Sequence, residues 1–90
     1  MKTQTVAALS ILLLTPAVAL ASPACTKEPK TKWMSETAIQ KKIADLGYKV
    51  KTFETTGSCY EIYGWNKEGK KAEVYFNPMT GEIVKSEIDG

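Results

Sequence analysis

Chemistry has few places to start in this chain. Histidine is absent from all 90 residues, which removes the usual base of Ser-His-Asp and Cys-His sites. Glu61 and Glu73 are the one carboxylate pair that could support general acid–base work. The strands read below put both on the same face, but each has lysines close by in sequence, the pattern of a solvated surface. The two cysteines, Cys25 and Cys59, are too far apart for a redox dithiol motif. They also fall short of the four ligands a structural zinc needs. Gly57, Gly64, Gly69 and Gly81 never fall into a phosphate-cradling GxxxxGK or GxGxxG. Asp45, Asp89 and the scattered glutamates do not make a calcium loop. The chain therefore reads as a non-enzyme, with no catalytic residue, no metal and no cofactor expected. Binding is the chemistry left. Tyr63, Trp65 and Tyr75 fall on one face of two adjacent strands. Large rings on an uncovered sheet face are common interface anchors, although the same rings also make ordinary cross-strand pairs.

The elements that must position these residues are short. Residues 1–21 read as a secretory signal peptide: Lys2, then the apolar "VAALSILLLTPAVALA", then a small-x-small signal at Ala19-Leu20-Ala21. The apolar run, broken by Ser10, Thr15 and Pro16, is short for a membrane span. Cleavage after Ala21 would release a periplasmic or secreted protein with no remaining membrane segment. About 69 residues would then remain, one small domain at most. Chains of this size usually need extra fastening. In an oxidising compartment, Cys25 and Cys59 have one intramolecular pairing open to them. Closing a loop of about 35 residues contributes roughly 3.8 kcal/mol on the chain-entropy account.

All twelve basic residues are lysines. Loss of Lys2 would leave eleven against ten acids, a net charge near +1. Without arginine there is no bidentate fork for bases or phosphates. The lysines are also interleaved with acids, so a nucleic-acid partner is not expected.

Residues 22–34, including "SPACTKEPKTKW", read as an extended arm pinned by Cys25. "SETAIQKKIADLG" reads as a helix of about three turns. Ser35 is its N-cap, Glu36 suits its dipole, and Met34 and Ile39 staple its start. Ile39, Ile43 and Leu46 form its apolar stripe, and Gly47 ends it. "YKVKTFET", "CYEIYGW", "KKAEVYF" and "EIVKSEI" read as four strands. The first alternates at Tyr48, Val50 and Thr52. Gly64 inside the second suggests a bulge or a close backbone approach. "TGS" and "NKEG" are turns. Asn77, Pro78 and Gly81 form a structural turn before the last strand, an edge piece whose Lys85 and Glu87 discourage further pairing. The expected fold is α+β, α-β-β-β-β, with one helix packed on a four-stranded antiparallel sheet and one disulfide. The expected core is Ile39, Ile43, Leu46, Val50, Ile62, Val74, Phe76 and Ile83, with Tyr48 and Tyr60 partly inside.

Taken together, "EPKTKWMSETAIQKKIADLGYKV" and "GSCYEIYGWNKEGKKAEVYFNPMTGEIVKSE" resemble the PepSY domain family, especially its small secreted bacterial members. The family-like parts are Trp33-Met34-Ser35, "GYKV", "CYEIYG" and "NPMTGEIV". The resemblance covers roughly residues 28–87 and places a PepSY-like domain at 35–90. Related sequences often carry aspartate where Asn77 stands, and asparagine makes the same turn contact. The resemblance implies the fold read above and an extracytoplasmic setting. Related domains occur in propeptides of secreted metallopeptidases, so it also implies a protein partner, with a secreted peptidase as the candidate. It supplies no family motif for a catalytic or binding residue. Two functions compete: a periplasmic binding or regulatory module that modulates a peptidase, and a self-associating envelope protein whose homodimer is the working unit.

Overall fold

The computed structural model describes residues 22–89, so the expected signal peptide at 1–21 lies outside the described residues. A 3-10 turn at Lys30–Lys32 leads into helix α1, Glu36–Asp45. The Ser35 hydroxyl accepts the Ala38 N–H at 3.1 Å, satisfying one of the free donors of the first turn. At the other end Gly47 takes φ +98°, which side chains with a Cβ resist, and its N–H donates to the Ala44 carbonyl. The chain then forms strands β1 (Lys49–Thr56), β2 (Cys59–Trp65), β3 (Lys71–Phe76) and β4 (Ile83–Ile88). They make one antiparallel meander in the order β1-β2-β3-β4.

Three cross-strand pairs of β2 and β3 face the helix: Tyr60 opposite Phe76, Ile62 opposite Val74, and Gly64 opposite Ala72. Against them pack Ile39 and Ile43, one helical turn apart and fully buried. Trp33, Met34, Tyr48 and Phe53 close the margin of this core. The Trp33 ring stands edge-on to Tyr60 with centroids 5.2 Å apart, and the Tyr60 hydroxyl donates to the Met34 carbonyl at 2.7 Å.

Three expected core residues are exposed instead: Leu46 at 46%, Val50 at 40% and Ile83 at 44%. Dimensions explain this. One helix is about 10 Å across and strands lie about 4.8 Å apart, so one helix roofs about two strands. Here those are β2 and β3. Val50 on β1 and Ile83 on β4 lie at the uncovered margins, and Leu46 follows the last helical turn. The first strand also departs from simple alternation. A bulge between Val50 and Thr52 sets Thr52 opposite Tyr63 and Phe53 opposite Ile62. The Phe53 ring, not Thr52, therefore faces inward, 5.1 Å from the Tyr60 ring.

Gly64 lies beside this bulge. A Cβ there would stand 2.0 Å from the Lys49 carbonyl oxygen, so the close approach of the two backbones requires glycine. Cys25 and Cys59 form the disulfide, with Cα atoms 5.2 Å apart. The arm is fixed beside it by the Cys25 N–H donating to the Ser58 hydroxyl at 2.8 Å. At the β3–β4 turn the Asn77 side-chain oxygen accepts the Met79 N–H at 2.8 Å. The Asn77 carbonyl accepts the Gly81 N–H at 2.7 Å, with Gly81 at φ +79°. Pro78 is buried, and its carbonyl accepts the Met34 N–H. The turn thus ties the last strand to the start of the helix.

Candidate functional site

The face of the sheet turned away from α1 carries the alternate residues of the same strands. On β2 these are Cys59, Glu61, Tyr63 and Trp65; on β3 they are Lys71, Glu73 and Tyr75. The register sets Glu61 opposite Tyr75, Tyr63 opposite Glu73, and Trp65 opposite Lys71. Tyr63 and Trp65 are thus neighbours along one face of β2, and Tyr75 lies diagonally from Tyr63, directly opposite Glu61. Tyr63 is 42% exposed and Trp65 is half-buried. Tyr75 lies on the same face but is only 7% exposed, so it is not available as a contact ring.

The larger departure is Glu61. A solvated position was expected, yet only 2% of it is exposed. The Thr56 hydroxyl donates to its Oε1 at 2.9 Å, while Oε2 is buried with no hydrogen-bond partner. An ionised carboxylate left so is costly. Burial pushes the Glu61 carboxyl above its ordinary range, and the neighbouring Glu73 carboxyl adds to that, against the pull of the nearby Thr56, Tyr63 and Tyr75 hydroxyls. Glu73 moves the other way. The neighbouring Glu61 carboxyl holds it below the usual range, against the effect of burial, helped by the hydroxyls of Tyr75 and Tyr63 and by the Lys85 ammonium. The Tyr75 hydroxyl donates to Glu73 Oε2 at 2.9 Å. The two neighbouring carboxyls are thus pushed apart in proton affinity, Glu61 upward and Glu73 downward. Both neighbouring phenols are raised as well: Tyr63 chiefly through Glu73 and then Glu61, and Tyr75 chiefly through burial and then Glu73.

A groove of about 320 Å³ opens on this face among Lys51, Tyr63, Trp65, Lys71, Glu73 and Glu87. Its walls carry both signs of charge, Lys51 and Lys71 against Glu73 and Glu87. Among the described residues no cluster of three or more His, Cys, Asp or Glu could hold a metal ion. No helix of the described residues is long and apolar enough to cross a membrane.

Sequence reading missed the buried Glu61 and its partner Thr56. One signal was present. Glu61 sits inside "CYEIYGW", a run without lysine, on what became an inner strand. An inner strand is flanked on both sides, which favours burial without dictating it: Tyr63, on the same strand and face, is exposed.

The family described as "Peptidase propeptide and YPEB domain" (PepSY_2) matches residues 5–87. The chain belongs to this family. The match spans nearly the whole 90-residue sequence, including α1, β1 to β3, all but the last residue of β4 and both cysteines. Comparison with curated proteins and with solved structures gave no match. In this PepSY_2 domain the covered face supplies the fold, and the open face, with its carboxyl pair and two accessible rings, supplies the distinctive surface chemistry.

Proposed function

We propose that this PepSY_2 domain is a non-catalytic protein-binding module that regulates a peptidase in the periplasm or outside a bacterial cell. The observation that carries the reading is the family match, whose description names the propeptides of peptidases. The open face supports it. Tyr63 and Trp65 are accessible there beside a groove with mixed charge, the composition from which interface hot spots are drawn. Export is part of the proposal: the apolar leader at 1–21 and the Cys25–Cys59 disulfide both suit an oxidising compartment.

The test has two arms. Pull-down from periplasmic extract with the disulfide intact should recover a peptidase, and the purified domain should slow that enzyme or assist its folding. Replacing Trp65 and Tyr63 with threonine should weaken capture by about 30-fold or more, the scale of one true hot spot. No effect on several secreted metallopeptidases, with no peptidase recovered, would refute the reading. A mass that still includes Met1 in the purified protein would refute export by cleavage after Ala21.

A second reading, a self-associating envelope protein, is favoured by one observation: all six residues of the edge strand β4 are exposed.

A further inference from the structure

β4 ends the sheet, and nothing among the described residues pairs with its outer side. Ile83, Val84 and Ile88 are each more than 40% exposed along it. Unpaired edges of this kind are templates for another strand. Which backbone groups are free follows from the ladder. The Asp89 N–H donates to the Lys71 carbonyl at 3.0 Å. Antiparallel ladders alternate, and the register sets Glu87 opposite Glu73 and Lys85 opposite Tyr75. The backbone groups of Glu87 and Lys85 therefore face β3, and those of Ser86 and Ile88 face outward. Val84 is the extra residue of the irregularity between Lys85, opposite Tyr75, and Ile83, opposite Phe76, so the regular alternation runs from Lys85 to Ile88.

We propose that β4 pairs antiparallel with β4 of a second copy, about a two-fold axis passing through Ser86. Of the symmetric registers that bring outward-facing groups together, three are centred within the regular stretch Lys85–Glu87. An axis at Lys85 sets lysine against lysine, and an axis at Glu87 sets glutamate against glutamate. Like charges directly opposite are destabilising. The axis at Ser86 sets Lys85 against Glu87 of the second copy, twice, and leaves Ile88 of each copy beside the bulged Val84 of the other. The charges that guard the edge thus reject two registers and favour the third. That order of charge and apolar residues is complementary to itself when reversed, as an isologous interface requires. An unrelated strand would have to reproduce it by chance, so a second copy is the occupant the edge fits. Residues directly opposite share a face, so the dimer would join two open faces into one surface carrying Tyr63 and Trp65 of both copies. The inference does not depend on a peptidase partner.

The test uses the purified protein with its disulfide intact. Sedimentation over a concentration series should show a monomer–dimer equilibrium. Lys85→Glu alone and Glu87→Lys alone should each weaken it by about tenfold, since each turns two opposite-charge contacts into like-charge ones. An equimolar mixture of the two variants should recover association as a heterodimer, because each chain then supplies the charges the other lacks. In hydrogen exchange, the amides of Ser86 and Ile88 should become slower as concentration rises, while those of Lys85 and Glu87 should be protected throughout. A monomer at the highest soluble concentration would overturn the proposal. So would a dimer indifferent to both reversals, or a mixture no tighter than either variant alone. Both substitutions lie at exposed positions, and rescue in the mixture itself reports that the variants are folded.

Discussion

The two faces of this sheet use the same strands and the same two-residue period, yet they bury side chains by different means. Toward α1, Tyr60, Ile62, Val74 and Phe76 are buried against Ile39 and Ile43. That is ordinary apolar burial, at roughly 25 cal/mol per Å². Away from α1 no element provides a roof, and still Glu61 and Tyr75 are nearly inaccessible. Their partners there are polar: Thr56 for Glu61, and Glu73 for Tyr75. A small domain with one helix can therefore enclose part of its second face, but an ionisable group is enclosed with it.

The largest effect should come from the covered face. Phe76→Ala removes a fully buried ring and should cost about 3–5 kcal/mol, read as a lower urea midpoint. The open face has a covalent counterpart. Cys59 lies at its end, tied to Cys25 across 34 positions. Replacing both cysteines with alanine should cost about 2–5 kcal/mol. Gly64→Ala tests where the faces are set relative to each other. Its new Cβ would press on the Lys49 carbonyl, so β1 must shift; a loss of about 1–3 kcal/mol is expected, with altered amide shifts along Lys49–Phe53.

A smaller effect is expected at Glu61, and its sign depends on pH. Glu61 has a raised value in the fold, so its contribution is present below the unfolded value and is lost as pH rises through the folded one. Glu73 has a lowered value, so its contribution is present above the unfolded value and is lost as pH falls through the folded one. The pair therefore favours a stability maximum near the ordinary glutamate value of 4.5. Glu61→Gln keeps the shape and removes the titration, so it should flatten the decline on the alkaline side. Urea titrations at several pH values check this. The smallest effect is expected at Tyr63. Tyr63→Ala leaves the core untouched and should change stability by no more than about 0.5 kcal/mol.

Much of the fold could be read from local residues. Ser35 and Gly47 mark the helix ends by chemistry that acts within one turn. The alternation of β2 and β3 survives because both are inner strands lying under α1. The margins were harder because their burial depends on width. Val50 and Ile83 have core-like side chains and the correct period, but one helix does not reach them. The bulge near Lys51 changes which residue of β1 points inward, and only Gly64, on the neighbouring strand, signals it. Tyr63 and Trp65 could be read as open-face rings from period alone. The carboxyl pair could not, because its character comes from burial, and glutamate in a sequence carries the expectation of water.

The most direct measurement is a carbon NMR titration of the side-chain carboxyls of Glu61 and Glu73. If burial and proximity push the two carboxyls apart, Glu61 titrates above 4.5 and Glu73 below it. Two carboxyls that both titrate near 4.5, or a Glu73 that titrates above Glu61, would contradict it.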